Sequence, residues 1–267
     1  MGRKTFIYKD ERNDDFAASN GKIKPKKITS DYKYDGANVF WRAGAFVVYR
    51  LIATPVAFLM MKLLHGTRIK NRAAIKKLRK QKTGFFLYGN HTLGYGDAFL
   101  PTLACFPCKM RVVVNAVAVS IPFVGAVAHM AGGMPLPSDV GGMKNFLSAI
   151  KKSVERGEAI TVYPEAHIWP YYNGIRDFSD ASFAYPVLTD KPVVASVVTF
   201  RRRKIFKNLR PLITVTLSDP FYPANYKNKT ELRNAVHDFM AGVTEKEKSY
   251  GYNTFVKETE IENNNSL

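Results

Sequence analysis

The chain has 267 residues, 46% of them hydrophobic and 23% charged, with two cysteines and a formal net charge of +18. That length and apolar content allow one large core and exclude a collagen-like, repetitive or disulfide-framed chain. The positive excess implies an anionic partner, whether a phospholipid surface, a nucleic acid or an acidic substrate such as a coenzyme A ester.

Residues 1–36 carry nine Lys/Arg, six Asp/Glu and few apolar side chains, which predicts a flexible basic arm. This polar start shows no signal peptide, and Phe6 stands where a myristoylation site has Ser or Thr. Residues 37–66 are different. From Val39 to Leu64 the chain is apolar apart from Arg42, Arg50, Pro55 and Lys62. The stretch is long enough to span a bilayer, but Arg50 and Pro55 near its middle make a simple spanning helix costly. Bases flank both sides: Lys22, Lys24, Lys26, Lys27 and Lys33 before it, and eight Lys/Arg without an acid over 68–82. Such flanks fit poorly with one crossing. The expectation is a bent helix or helical hairpin lying in one leaflet, at the cytoplasmic face, peripheral or monotopic. A helix packed on the following domain is the other reading.

From Gly84 onward strands and helices are predicted to alternate. Phe85–Tyr88 reads as a strand, 97–106 as a helix, and Arg111–Ala116 as a strand. Pro122–Met130 reads as a short helix, and 141–156 as an amphipathic helix through Met143, Phe146, Leu147, Ile150 and Val154. Ala159–Tyr163, Val193–Phe200 and Leu212–Leu217 follow as strands. Thr230 is predicted to cap a helix running to about Glu247. The pattern argues an α/β fold with a mixed, largely parallel sheet flanked by helices over residues 67–250. The Asn-rich 251–267 reads as a disordered tail.

Three clusters fall where strands end. Gly89-Asn90-His91-Thr92-Leu93-Gly94-Tyr95-Gly96-Asp97 lies between the first strand and its helix, a position where loops often carry catalytic groups. An imidazole titrates near neutrality, and an aspartate within reach would fix its tautomer and balance the imidazolium. The bland reading makes His91 a cap and Asp97 a solvated first-turn carboxylate. Ile121-Pro122-Phe123-Val124-Gly125 leads to Gly132-Gly133-Met134-Pro135, either the close-approach wall of a cleft or an ordinary turn. Tyr163-Pro164-Glu165-Ala166-His167 closes the third strand, where a carboxylate enters the usual ligand crevice of an α/β sheet; a surface turn is the alternative. Cys105-Phe106-Pro107-Cys108 has the spacing of half a redox or metal site. No second ligand pair accompanies it, so buried thiols and no metal are expected.

Taken in order, these clusters resemble the glycerolipid acyltransferase superfamily, over roughly residues 67–247. The family's His-x4-Asp motif is similar to His91 through Asp97, and its "iPffG…G…i" stretch to Ile121–Gly125 and Gly133-Met134-Pro135. Its Phe-Pro-Glu-Gly-Thr-Arg motif is similar to Tyr163-Pro164-Glu165-Ala166-His167-Ile168. Asp177–Phe183 resembles the family's "pFkkGaf" stretch, and Lys191-Pro192-Val193-Val194 its "vPivPv" strand. Five residues rather than four separate His91 from Asp97. The arginines of the second and third motifs, held in the family to grip the acceptor's phosphate, are missing. Arg176 or Arg201–Arg203 are the candidate substitutes.

The resemblance implies a membrane-associated O-acyltransferase in which His91 is the general base and Asp97 its partner. Asn90, Thr92, Gly133, Pro135, Tyr163, Pro164, Glu165, Ala166 and His167 would bind substrate. Backbone N–H groups near Gly89–Thr92 would stabilise the oxyanion. Acyl-CoA or an acyl carrier protein would donate to a lysophospholipid-like acceptor at a membrane lipid surface, with no cofactor, no metal and no nucleic acid. The alternative class is a non-catalytic binder of anionic lipid or nucleic acid, supported by the basic runs at 68–82 and Arg201–Lys204, although no nucleic-acid-reading motif is present.

Overall fold

In the computed structural model, which describes residues 3–17 and 23–259, the chain begins with strand β1 (Thr5–Tyr8) and a long apolar helix. That helix comprises α1 (Val39–Val47), α2 (Thr54–Leu59) and a widened, π-type turn after each, so that it runs unbroken from Val39 to Leu64. Then come β2 (Arg68–Lys70), α3 (Arg72–Lys80), β3 (Phe85–Gly89), α4 (Gly96–Cys105), β4 (Met110–Val114) and α5 (Val124–Met130). β5 (Gly133–Pro135), α6 (Val140–Glu155), β6 (Ala159–Val162) and α7 (Ala184–Thr189) follow. β7 (Val193–Arg201), β8 (Leu212–Leu217), α8 (Lys229–Lys246) and β9 (Thr254–Lys257) complete the order.

Seven strands form one sheet in the order β2-β8-β7-β3-β6-β4-β5, parallel except for the β7–β8 pair. This is the expected mixed, largely parallel sheet. Its central strands are buried on both faces, which is why they read as continuous apolar runs. Phe86 and Tyr88 of β3 pack with Phe146 and Ile150 of α6 and Leu232 and Val236 of α8. Phe85 and Leu87 face the other way, into a core made by Ile75 and Leu78 of α3, Leu100 and Leu103 of α4, and Met61.

The apolar helix is a single helix, not a hairpin. Pro55 has no N–H to donate and its ring crowds the preceding turn, so the backbone widens there while the Thr54 hydroxyl donates to the Tyr49 carbonyl at 2.8 Å. Its buried stripe is Tyr49, Thr54, Ala57 and Met61. The Tyr49 hydroxyl accepts the Met110 N–H at 2.8 Å. Arg50, which with Pro55 made a simple bilayer span costly, donates to the Pro107 carbonyl, and Lys62 donates to the Thr67 carbonyl. Phe40, Phe46, Leu51, Ile52, Leu59, Leu63 and Leu64 are more than half exposed. The helix is therefore long and apolar enough to cross a membrane, yet it is seated on the domain through α4 and α5.

The predicted flexible arm is corrected over its described residues. β1 pairs in parallel with β9, so that Thr254–Lys257, placed by sequence in a disordered tail, is also a strand. Phe6, Phe16, Trp169 and Phe255 form an aromatic cluster there, with Trp169 stacked on Phe255 at 5.0 Å. Ile28 and Tyr34 are buried in the main core. The reason is simple: a few well-placed apolar and aromatic side chains suffice to fix a segment that is polar on average. Residues 1–2, 18–22 and 260–267 of the expected arm and tail lie outside the described residues. One predicted cap also shifts. Asn228, not Thr230, caps α8, accepting the Glu231 N–H at 2.9 Å, while Thr230 donates to Asp180. The basic run 68–82 holds β2 and α3, whose inward residues Ala74, Ile75 and Leu78 are buried beneath the lysines.

Asp35 and Glu158 gather Arg111 and Arg156 into a partly buried network, with Lys109 at its rim. Burial would raise the Glu158 pKa, but Arg111 and Lys109 overcome it and bring the value down to about 2 from 4.5. A depressed carboxyl contributes stability that is present above 4.5 and lost as pH falls toward 2. At roughly 1.4 kcal/mol per unit this is about 3 kcal/mol. Glu158→Gln should lower stability at neutral pH by that order and flatten the acid limb of the urea-midpoint profile between those values.

Candidate active site

The His91 loop leaves the carboxyl end of β3, next to β6, and Tyr163 leaves the carboxyl end of β6. β3 and β6 are hydrogen-bonded neighbours, with Tyr88 opposite Val162. Two clusters far apart in sequence thus end on the same edge of the sheet.

His91 Nδ1 lies 2.8 Å from Asp97 Oδ2. The same carboxylate oxygen takes the Leu93 N–H at 2.9 Å, which marks it as an acceptor. Nδ1 must then carry the proton, which leaves the lone pair on Nε2. Asp97 is 2% exposed and the His91 side chain 16%, so the carboxylate is shielded while the imidazole keeps an accessible edge. The extra residue in the spacing is absorbed by Gly94 at φ +59°, a left-handed conformation that glycine adopts freely. Gly96 then passes so close to Leu93 that a Cβ would sit 2.9 Å from that side chain.

Tyr163 supports the imidazole from one side, ring on ring at 4.5 Å and 14°. Its hydroxyl donates to the Asp97 carbonyl at 2.6 Å. Burial, with the Asp97 charge nearby, pushes the phenol well above its ordinary value, so it keeps the proton it donates. Glu165 supports the backbone instead. Its carboxylate accepts the His91 N–H at 3.1 Å, the Arg176 N–H at 3.1 Å and the Arg176 guanidinium at 3.1 Å. Arg176 is fully buried, lies 4.9 Å over the Trp169 ring, and donates to the carbonyls of Glu11 and His167. Burial raises the Glu165 carboxyl above the ordinary range, opposed by Arg176 and the two backbone donors.

The remaining predicted residues divide. Asn90 bridges to β7, donating to Val198 O at 3.0 Å and accepting its N–H at 2.8 Å. Thr92 donates to Trp169 O and Tyr172 O. Both are buried and hold the loop rather than line a pocket. Glu165, expected at the acceptor pocket, is likewise engaged within the protein. His167 is half-buried and faces Asp15 at 3.4 Å. Ala166 is exposed at φ +62°, which explains the glycine of the resembling motif, and Pro164 is half-buried. Gly133 and Pro135 are not brought to His91. They form buried edge strand β5, three strands from β3 and so about 14 Å across the sheet. A Cβ on Gly133 would meet Ala128 O at 2.8 Å, so packing against α5 requires this glycine. The expected oxyanion donors also change, because the His91 N–H is given to Glu165.

Sequence reasoning missed the role of Arg176. It sits eight positions after Ile168, where the motif's arginine is absent, and it reaches the motif's glutamate from the other side of a loop. Three of the four candidate phosphate grips are engaged: Arg176 by Glu165, Arg201 by Thr214 Oγ1 and the Gly66 carbonyl, and Arg203 by the carbonyls of Arg210 and Leu64, while Arg202 is exposed at the tip between β7 and β8. Cys105 and Cys108 are free thiols, both raised by burial.

With this geometry in view, one solved structure is informative. The crystal structure of the 1-acyl-sn-glycerophosphate (LPA) acyltransferase PlsC from Thermotoga maritima superposes with a TM-score of 0.55. The match covers 79% of this chain and 95% of that one, at 17% identity. The two share a fold. No protein-family model and no curated protein matches the chain.

Arg176→Met should remove a buried partner and leave Glu165 with an uncompensated charge, costing about 3–5 kcal/mol at neutral pH. A carboxyl whose folded pKa is raised loses stability as pH rises, so the penalty should shrink on going from pH 7 toward 5. Urea unfolding of the variant at both pH values checks the magnitude and the sign together.

Proposed function

We propose that the chain is a membrane-associated O-acyltransferase, moving a fatty acyl group from an acyl thioester to a hydroxyl of a lysophospholipid-like acceptor. The observation that carries this reading is the His91–Asp97 pair, preset at 2.8 Å with its base nitrogen unengaged among the described residues. The fold shared with PlsC and the apolar helix beside α4 support it.

In this reading Nε2 of His91 takes the proton of the acceptor hydroxyl as its oxygen attacks the thioester carbonyl. Asp97 balances the charge that appears on the ring. Collapse of the tetrahedral intermediate breaks the acyl–sulfur bond, and the imidazolium returns its proton to the departing thiolate. The products are an ester and a thiol, and no enzyme nucleophile or cofactor is required. The donor is acyl-CoA or an acyl carrier protein, both anionic and both suited to a +18 chain. The protein sits on the cytoplasmic face of a membrane, peripheral or monotopic. Its exposed helix face meets lipid, while Arg50 turns to the domain.

His91→Ala should lose about 10²–10⁴-fold in acyl transfer, with the protein still folded and its vesicle binding unchanged. Asp97→Asn should fall in the same direction, because an amide cannot stabilise the imidazolium. Turnover near wild type in His91→Ala would overturn the mechanism, and absence of thioester consumption in the parent protein would favour a non-catalytic lipid binder.

The acceptor follows from the engaged arginines. A phosphate monoester in a partly dry site needs cationic donors, and Arg176, Arg201 and Arg203 already have partners. Lysophosphatidate should therefore be a poorer acceptor than an uncharged monoacylglycerol, read as kcat/KM for each. The reverse order would show that another cation reaches the site.

A further inference from the structure

The β7–β8 hairpin has a tip, residues 202–211, whose composition the acyl-transfer chemistry does not use. It holds Arg202, Arg203, Lys204, Lys207 and Arg210 and no acid. Among these cations it raises Ile205 (74% exposed), Phe206 (72%) and Leu209 (54%) into solvent. Phe206 stands at φ +56°, in the left-handed region, and its carbonyl accepts the Leu209 N–H at 3.0 Å, a tight turn that puts the ring at the apex. A soluble hairpin gains nothing from apolar side chains there.

The tip is also tied to the apolar helix. Arg203 donates to Leu64 O at 2.7 Å and to Arg210 O at 2.7 Å, and Arg201 donates to Gly66 O at 3.2 Å. Arg201 and Arg203, at the base of the tip that raises Ile205 and Phe206, thus tie it to the carboxyl end of that helix, where Leu63 and Leu64 are exposed.

We propose that this hairpin tip is a second membrane contact, in which Ile205 and Phe206 enter the acyl region of one leaflet while Arg202, Lys204 and Lys207 take anionic lipid phosphates. Two observations select a bilayer as the occupant. The cations are unrelieved by any acid within the tip, which matches an anionic headgroup layer. The apolar apex continues the exposed face of the helix from Val39 to Leu64, as in interfacial elements that place apolar groups below a ring of bases. With contacts at the helix and at the hairpin, the domain has a fixed tilt on the surface instead of free rotation about the helix. This inference rests on the membrane association proposed above, but not on acyl transfer.

The test uses the full chain with Phe206→Trp, mixed with phosphatidylcholine vesicles with and without phosphatidylglycerol and carrying bromine on the acyl chains. Emission from the introduced indole, after subtracting the parent protein with its Trp41 and Trp169, should shift to the blue and be quenched by the acyl bromines. Ile205→Ser with Phe206→Ser should weaken partition onto these vesicles by roughly tenfold or more. Lys204→Glu with Lys207→Glu should lower it by roughly fivefold per cation removed, only where phosphatidylglycerol is present. All four positions are exposed, so urea midpoints should not move. An introduced indole that stays unquenched on sedimented, vesicle-bound protein overturns the proposal. So does equal partition of the double-serine variant, or a tip that retains a homopolymer RNA while its charge reversals leave vesicle binding unchanged.

Discussion

Glu165 is a carboxylate with almost no access to water, held between parts of the chain that are far apart in sequence. It takes the backbone N–H of His91 from the β3 loop and both the N–H and guanidinium of Arg176 from the loop after β6. Through Arg176 it also reaches Glu11 of the N-terminal segment. A buried charge of this kind is stable only when its partners are all in place, so the arrangement is all-or-none. That constraint fixes the position of His91 along the loop, and the Asp97 contact then fixes the rotation of its ring. Tyr163, from the same strand end as Glu165, closes the third side. The imidazole is thus oriented by groups that themselves have little freedom, which is the preorganisation that the proposed role of general base would require.

Much of this was legible in the sequence. Central strands with apolar residues on both faces announce themselves, and β3, β6, β7 and β8 fall within a residue or two of their predicted limits. The His91 and Asp97 pairing was legible too, because two glycines in one short loop signal a chain that must double back. Partners across long separations were not legible. Nothing local tells Arg176 that Glu165 is its partner, since both face inward only after the intervening loop closes over Trp169. Gly133 and Pro135 misled for the opposite reason. A glycine pair followed by proline has the composition of a turn, and only the neighbouring strand β4 makes it a strand. The N-terminal segment misled through its average polarity, which hides the few aromatic residues that anchor it.

The apolar helix shows how tertiary contacts reverse a cost read from sequence. Arg50 and Pro55 argue against a helix in lipid, yet Arg50 finds a carbonyl of the domain, and the backbone widens around Pro55 without breaking. What is left on the outside is largely aliphatic and aromatic. Its seat on α4, the helix that carries Asp97 in its first turn, couples the apolar helix directly to the site.

The ribbon of β1 and β9 sets the order in which the molecule can be finished. Its two strands come from residues 5–8 and 254–257, and Phe255 is the surface on which Trp169 stacks. Trp169 in turn donates its N–H to the His91 carbonyl, and its own carbonyl receives the Thr92 hydroxyl. During synthesis the sheet can assemble as its strands emerge, since chains acquire structure from the N-terminal side onward. Residues 5–8 must wait, unpaired, until nearly all of the α/β domain has left the ribosome. The aromatic surface behind the loop that carries His91 is therefore completed last, after the core has formed.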